Sequence, residues 1–342
     1  MKSFDCIVVG AGPAGIAASK ILNDNNIDYC IIDKCEFPRE KLCGGGLTSK
    51  STRILKKLGL KYDNIDNKLT KEVLVVSKRA SKVIKLDNPI VMVDRKEFDN
   101  NNLRQIKNKN IFLNETITNI EENILTTNKD KYQFKYIIFA DGVNGYSRKL
   151  IKNREFGFCV EFTSSKETQE TVLDFEAIKK GYGWIFPKKG NTTIGLGNVF
   201  NRKDDYIKAL IEFAKKYNYD IDKKQIKGYH IPAFSKKIYE QSVIDNKYIL
   251  VGDAASLVDP CSGEGIYYAL ASGIYAGKTI TEVLKNNKDI KETYFNKTAG
   301  LCRGLEKRKK LSKALYSKSS RTLIQIGLHS KKCIKLINRV FA

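Results

Sequence analysis

The feature that most constrains this chain is a glycine-rich turn near its N-terminus. The apolar segment FDCIVVG at residues 4–10 predicts a buried strand, and it runs directly into GAGPAG at residues 10–15. In such a GxGxxG turn the first glycine makes the bend, the second lets the backbone approach a pyrophosphate, and the third lets strand and helix pack closely. With a helix expected over residues 14–23, the pattern predicts a βαβ unit with phosphates at the helix N-terminus.

The second strand, DYCIID at residues 28–33, ends on an acid. Asp33 follows Gly15 by 18 residues, and a carboxylate at that place accepts hydrogen bonds from a ribose hydroxyl. We therefore expect Gly10, Gly12, Gly15 and Asp33 to bind the first part of a dinucleotide.

A second nucleotide-site signal lies far along the chain. Asp253 follows a buried strand and a glycine, so it is expected at the carboxyl end of a sheet, where ligands bind in such folds. The segment Gly263-Glu264-Gly265 then opens another helix, and a stripe of small residues on that helix permits close packing: Ala269, Gly273 and Ala276. A glycine-rich turn early in the chain and a Gly-Asp pair late in it are typical of FAD sites rather than of NAD sites.

The pattern between these two halves changes to β-rich. Residues 72–93 predict short strands with a hairpin tip near Arg79, and Asp94 is the expected N-cap of a helix. The predicted fold is therefore α/β: a Rossmann-like FAD-binding domain with an inserted β-rich, mixed α+β substrate domain and a C-terminal helical tail. The predicted boundaries are 1–70, 94–155 and 243–300 for the FAD-binding domain, 71–93 and 156–242 for the substrate domain, and 301–342 for the tail.

The cysteine and histidine content limits the kinds of catalysis and metal binding that are expected of this chain. The chain has eight cysteines and two histidines, without a CxxC pair, so free thiols in a reducing cytoplasm are expected and histidine-based catalysis is disfavoured. Cys30, Cys35 and Cys43 are close in sequence, but Cys30 lies in an apolar strand and no histidine is near, so no metal is predicted. Neither an export signal nor a membrane-spanning segment of ~18 apolar residues is expected.

Positive charge is concentrated at the C-terminus. The net charge is +23, and residues 301–342 carry twelve Lys or Arg and one acid, giving 12 − 1 = +11. Ile334, Ile337 and Phe341 recur at helical spacing among these basic residues, which predicts an amphipathic helix on an anionic membrane surface. The alternative is a helix packed on the body with a solvated basic face. An RNA-associated flavoprotein would also be basic, but no RNA-binding motif is present, so no nucleic acid is expected.

Several motifs together resemble one family. The chain resembles the geranylgeranyl reductases, FAD enzymes of the p-hydroxybenzoate hydroxylase superfamily, over about residues 4–280. The motifs that carry the resemblance are GxGxxG, CGGG at 43–46, ADG at 140–142, GYGWIFP at 181–187, GDAA at 252–255 and CSGEGIYYA at 261–269.

The resemblance implies how FAD is bound. Asp253 would bind the ribityl–pyrophosphate part, residues 263–266 would face the isoalloxazine ring, and residues 43–45 would lie beside it, where glycine lets backbone amides approach a planar ligand. Arg95 resembles an arginine that contacts the cofactor, and Asp141 belongs to a DG element near the flavin. The predicted cofactor contacts are Gly10, Gly12, Pro13, Ala14, Gly15, Asp33, Lys34, Cys43, Gly44, Gly45, Arg95, Asp141, Gly252, Asp253, Gly263, Glu264, Gly265 and Ile266.

Two residues after the DG element stay unassigned. Ser147 and Arg148 follow Asp141 in the run VNGYSRK, which departs from the spacing usual in the superfamily.

The residues that contact the substrate are predicted from the strand GYGWIFP and from one thiol, that of Cys43. Alternation along GYGWIFP puts Tyr182, Trp184 and Phe186 on one face, and with Pro187 they are predicted to bind an apolar, chain-like substrate; an ordinary core strand is the alternative. Cys43 is the candidate catalytic residue, since its thiol would donate a proton or shape the pocket. The alternative is a small buried cysteine.

The function implied is reduction of carbon–carbon double bonds in a prenyl chain by hydride from reduced FAD. A prenyl lipid or prenylated small molecule would be the substrate, and the location would be cytoplasmic with contact to the inner membrane face. Without a second GxGxxG, the electron donor is open between NAD(P)H and a ferredoxin-like protein. The alternatives are an FAD monooxygenase or halogenase, disfavoured by the single tryptophan and the CGG loop, and a non-catalytic flavin electron carrier.

Overall fold

The computed structural model describes residues 1–77, 80–152, 154–199 and 203–317, together with residues 330, 334, 335 and 338. Its strands, β1 to β16 in chain order, are Lys2–Val9, Tyr29–Asp33, Gly46–Leu47, Asn67–Ser77, Ala80–Val93, Ile111–Leu113, Ile117–Glu121, Ile124–Thr127, Lys131–Phe139, Phe156–Ser164, Val172–Asp174, Gly181–Lys188, Asn191–Val199, Lys227–Pro232, Val243–Ile244 and Tyr248–Leu250. Its helices, α1 to α7, are Pro13–Asp24, Ser49–Lys57, Arg95–Arg104, Tyr206–Lys216, Lys236–Tyr239, Ile266–Asn286 and Ile290–Leu315.

The first sheet is built around β1. Its strand order is β15-β16-β9-β1-β2-β6, and the pairs from β16 to β6 are all parallel. Helix α1 connects the parallel strands β1 and β2, as the glycine-rich turn predicted. Strand β16 returns after the long insertion to pair with β9, so the carboxyl ends of the early and late strands meet at one edge of this sheet.

The second sheet joins two distant parts of the chain. Its order is β14-β10-β13-β12-β11-β4-β5-β3, with β11 and β4 the parallel pair and the other pairs antiparallel. The predicted α/β fold with a β-rich insertion is confirmed. The domain boundaries stay predictions, although β3 and the start of β4 belong to this second sheet. The predicted hairpin tip at Arg79 lies outside the described residues, while Ser77 pairs with Ala80.

Helix α4 covers one face of the second sheet, and the other face is open to a large cavity. A Cβ at Gly183 would lie 2.8 Å from the Phe213 ring of α4, so Gly183 faces the helix. Tyr182, Trp184 and Phe186 therefore lie on the cavity side, as the alternation of the strand predicted.

The C-terminal helix runs through the predicted boundary at residue 301, since α7 ends at Leu315. Beyond it, Ile334 packs beside the apolar cluster that contains Trp184, and the Asn338 side-chain amide donates to the Lys85 carbonyl at 3.1 Å. Ile337 and Phe341, on which the amphipathic prediction also rested, lie outside the described residues. Within the described part of the chain, none of the helices is both long and apolar enough to cross a bilayer.

Helices α1 and α6 lie so close together that α6 needs glycine at two of the positions that face α1. A Cβ at Gly273 would lie 2.1 Å from the Ala14 carbonyl oxygen, and a Cβ at Gly277 would lie 2.9 Å from the Ala18 carbonyl oxygen. Both contacts are too short for a side chain, so glycine at these positions sets the distance between the two helices.

Gly273→Ala is therefore expected to lower the free energy of unfolding by about 1–3 kcal/mol, because the added methyl pushes α6 from α1. Urea denaturation measures the change. Gly300→Ala, on the exposed side of α7 with no atom within 4 Å, is the matched control and should instead stabilise by roughly 0.5–1 kcal/mol. Equal effects of the two substitutions would contradict this account of the helix pair.

Candidate active site

A single continuous cavity of about 1430 Å³ lies between the two sheets. One ligand commonly occupies roughly 300–1,000 Å³, so this cavity has room for a dinucleotide and a second ligand. Gly10 and Asp33 line one part of it, and Tyr182, Trp184 and Phe186 line another.

The dinucleotide end is formed by β1, β2 and the N-terminus of α1. Gly10 has φ +100°, which favours glycine, and a Cβ there would lie 2.5 Å from the Ala140 carbonyl oxygen. Asp33 is held by two backbone groups: the Ala11 N–H donates to its Oδ2 at 2.7 Å and the Cys35 N–H to its Oδ1 at 2.8 Å. Each carboxylate oxygen keeps a further lone pair for a ribose hydroxyl.

Two arginines and one buried aspartate lie next to the dinucleotide end of the cavity. Arg95 makes a bidentate contact with Asp99, at 3.0 and 2.8 Å, and Arg39 approaches the same carboxylate at 3.3 Å. Burial lowers the pKa of Arg95, but the negative charge of Asp99 and the nearby Cys43 raise it, and the net shift is upward. The Arg95 guanidinium therefore stays charged beside the cavity. The sequence predicted Arg95 but not Arg39 or Asp99, which belong to no recognisable motif.

Asp141 organises the DG element. The backbone N–H and the hydroxyl of Ser147 donate to its carboxylate at 2.8 and 2.6 Å, so the unassigned serine acts within this site. Burial raises the pKa of the Asp141 carboxyl, and the Ser147 bonds oppose that rise. Arg154, also on the cavity wall, has Nε and Nη1 buried without a partner among the described residues. Such orphaned donors fit an anionic or carbonyl-bearing ligand.

The SGEG loop (residues 262–265) closes the other side of the cofactor region. Gly263 has φ +68°. The Thr48 hydroxyl donates to the Glu264 carboxylate, and burial raises the pKa of that carboxyl. The loop is held from outside by α7, because Arg308 forms a 2.7 Å ion pair with Asp259. The sequence prediction for the C-terminal tail, residues 301–342, did not include this ion pair.

The CGGG loop (residues 43–46) packs against the second sheet. A Cβ at Gly44 would lie 2.6 Å from the Phe186 ring, and Gly45, with φ +78°, would place a Cβ 2.1 Å from the Val93 carbonyl oxygen. Contacts within the chain therefore already require glycine at these two positions, and the predicted contact with the flavin ring stays a prediction. Cys43 remains on the cavity wall, and its Sγ accepts from the Gly45 N–H at 3.4 Å.

The aromatic wall follows β12. The ring centroids of Tyr182 and Trp184 are 6.0 Å apart, and those of Trp184 and Phe186 are 6.3 Å apart. Trp184 is 6% exposed, and its indole N–H has no partner among the described residues. The Tyr182 hydroxyl donates to the Ser262 carbonyl, which links this wall to the SGEG loop.

Most predicted contact residues line the cavity, and three do not. A Cβ at Gly15 would lie 1.8 Å from the Gly10 carbonyl oxygen, and one at Gly252 would lie 3.2 Å from Ala269 Cβ. Pro187 pairs with Thr192 in the second sheet. These three residues therefore pack elements together behind the wall. The predicted residues on the wall are Gly10, Gly12, Pro13, Ala14, Asp33, Lys34, Cys43, Gly44, Gly45, Arg95, Asp141, Tyr182, Trp184, Phe186, Asp253, Gly263, Glu264, Gly265 and Ile266.

Comparison with known proteins identifies the family. The FAD binding domain family matches residues 3–187. An uncharacterized protein of Methanosarcina barkeri is 30% identical over 84% of this chain and 76% of its own length. A digeranylgeranylglycerophospholipid reductase of Methanococcus aeolicus is 27% identical over 84% of this chain and 78% of its own.

Solved structures agree on the fold. A geranylgeranyl bacteriochlorophyll reductase-like protein of Thermoplasma acidophilum superposes with a TM-score of 0.77, at 19% identity, over 100% of this chain and 97% of its own. A flavin-dependent brominase superposes with a TM-score of 0.80, at 16% identity, over 99% and 93% of the two chains.

The chain belongs to the FAD binding domain family and is an FAD-dependent oxidoreductase, and its relatives include proteins named as geranylgeranyl reductases. Its cofactor is FAD. The glycine turn, the Asp33 carboxylate and the unpartnered Arg154 donors fit that cofactor.

Gly44→Ala tests the contact between the CGGG loop and Phe186. Because the methyl would overlap the ring, the loop should shift and FAD binding should weaken about tenfold, about 1.4 kcal/mol, as titrated into the apoprotein. Trp184 is the only tryptophan, and its Nε1 lies 3.8 Å from the new methyl position, so its emission should change too. Gly304→Ala, which meets no atom within 4 Å, should leave both readouts unchanged. Wild-type FAD affinity in Gly44→Ala would refute the steric argument.

Proposed function

We propose that this enzyme saturates carbon–carbon double bonds of a prenyl, geranylgeranyl-type chain. The observation that carries the proposal is the aromatic wall on the same cavity as the FAD residues, with the CGGG loop packed against it. Reduced FAD supplies a hydride. The names of the reductases among the relatives support a prenyl substrate.

The aromatic wall suits an apolar chain. Tyr182, Trp184 and Phe186 offer ring surface, and Val73, Ile90 and Leu173 extend the apolar lining. Burial of such surface contributes about 25 cal/mol per Å², which favours a long hydrocarbon over a small polar substrate. The chain residues would bind and orient the double bond and exclude water from it.

The polar headgroup of a prenyl-lipid substrate would bind at the basic side of the cavity. Lys309 and Lys313 of α7 lie on the wall next to Tyr316, and α7 carries further basic residues. We propose that the enzyme takes its substrate at an anionic membrane surface in the cytoplasm. The electron donor, NAD(P)H or a ferredoxin-like protein, is left to experiment.

An anaerobic single-turnover measurement tests the reaction. The FAD-loaded protein is reduced with dithionite and mixed with geranylgeranyl lipids or a prenylated quinone. We expect the flavin to be reoxidised without oxygen, and the product to be heavier by two hydrogens per turnover, because one hydride and one proton add to each double bond.

Flavin that stays reduced until air enters would contradict the proposal. In that case an oxygenated or halogenated product would favour the monooxygenase or halogenase function that the brominase fold allows. Flavin oxidation without any change in the lipid would favour an electron carrier.

A further inference from the structure

A buried acid lies behind the cavity wall on the substrate side, close to residues that line the cavity. Glu161 is in the middle of β10 and is 5% exposed. It pairs with Gly195 of β13, which in turn pairs with Trp184. Cys159, two residues earlier on the same face, lines the cavity. A carboxyl buried in such surroundings is costly unless its hydrogen bonds are satisfied.

Both oxygens of Glu161 are engaged, and by different parts of the molecule. The Cys43 N–H of the CGGG loop donates to Oε1 at 2.9 Å. The hydroxyl of Tyr229 on β14 donates to Oε2 at 3.0 Å. Glu161 therefore connects the loop beside the predicted flavin position to a phenol of the substrate-side sheet.

Tyr229 itself reaches the cavity. It lies on the wall beside Cys159 and contacts the thiol of that residue. Together, Tyr229 and Glu161 place an exchangeable proton within the substrate compartment, with the carboxyl behind the phenol.

We propose that Tyr229 is the catalytic residue that protonates the substrate carbon and that Glu161 reprotonates Tyr229. The inference rests on the proposed prenyl reduction. As the hydride adds to one carbon of the double bond, the π bond breaks, and its electron pair on the other carbon takes the Tyr229 hydroxyl proton. The O–H electron pair stays on the phenolate. The phenolate then takes the proton of Glu161 Oε2, and water returns a proton to the carboxylate.

The hydrogen bonds suit a neutral carboxyl. In the structure the Tyr229 hydroxyl donates to Oε2 and the Cys43 N–H donates to Oε1. A proton on Oε2 would reverse the first of these bonds, so that Glu161 donates to the Tyr229 oxygen and the Tyr229 proton turns towards the cavity. Burial raises the pKa of Glu161, which keeps the proton on to higher pH, although Tyr229 opposes that rise.

The charged and titratable groups around Glu161 come from several elements. They are Tyr229 of β14, Cys159 of β10, Lys188 of β12, and Cys43 and Lys41 of the loop segment. Lys188, the Cys43 amide and Lys41 lower the pKa of Glu161, but less than burial raises it. Because only the acid form of Glu161 can reprotonate Tyr229, the rate of repeated turnover should fall as pH rises through the pKa of this carboxyl.

Glu161→Gln separates proton delivery from loop support. A glutamine carbonyl can accept the Cys43 N–H and its amide can donate to Tyr229, so the CGGG loop keeps its anchor, but the amide cannot deliver a proton. FAD affinity and Trp184 emission should therefore match the wild type, while the fall of rate with pH disappears.

Tyr229→Phe removes the proposed donor. Its matched control is Tyr217→Phe, because Tyr217 also bonds a buried carboxylate, Asp174 at 2.9 Å, but lies off the cavity. In the anaerobic single-turnover assay we expect Tyr229→Phe to slow substrate-dependent reoxidation about 100-fold, with unchanged FAD content. In repeated turnover with excess dithionite we expect Glu161→Gln to slow the reaction by a similar factor, because Tyr229 is no longer reprotonated. Tyr217→Phe should stay within about twofold of the wild type.

The outcomes are distinct. If the wild type turns over and Tyr229→Phe does so within twofold of it, the proton-delivery proposal is overturned while the proposed function stands. If Cys43→Ala alone abolishes turnover and flattens the pH profile, the thiol is the donor and the proposal is equally overturned. If Glu161→Gln lowers FAD affinity and leaves the pH profile intact, Glu161 only supports the loop. A wild type that reduces no prenyl substrate removes the proposed function, and the proton-delivery role with it.

Discussion

The contact between the CGGG loop and the second sheet is the constraint on which the active site depends. FAD residues belong mainly to the first sheet and its connections, and the aromatic wall belongs to the second. Two contacts join them: Gly44 lies against Phe186, and the Cys43 amide donates to Glu161, which is 118 residues away in the sequence. The proposed hydride transfer would need reacting atoms about 3–3.5 Å apart, so a loop that sets the distance between the two halves would also set the geometry of that reaction.

Buried charges around the cavity are neutralised locally rather than by solvent. Asp99 is paired with Arg95, Asp141 is bonded by Ser147, and Asp259 is paired with Arg308. Unpaired buried charges would be costly, so each of these acids is paired or hydrogen-bonded by a neighbouring residue. Among the described residues, Nε and Nη1 of Arg154 have no partner, which fits a site that receives an anionic cofactor.

Much of the architecture was predictable because its determinants are local. The GxGxxG turn, the Asp94 cap, the alternation of β12 and the small-residue stripe of α6 each lie within a few residues of the element they specify. The partners of the wall residues were not predictable. Arg39 with Asp99, Arg308 with Asp259, and Glu161 with Tyr229 and Cys43 come from separate elements, and no spacing in the chain relates them. An acid within the apolar strand FGFCVEF was the one visible signal for Glu161.

The sequence by itself determined the fold class, the family and the cofactor, because glycines and an acid at fixed spacing can serve only a narrow set of backbone shapes. Only the tertiary structure showed which atoms require glycine in the CGGG loop. It also decided which predicted contact residues lie behind the cavity wall and which acids pair with which bases. Those properties depend on distances between sheets, and such distances follow from packing of the whole chain rather than from any local pattern.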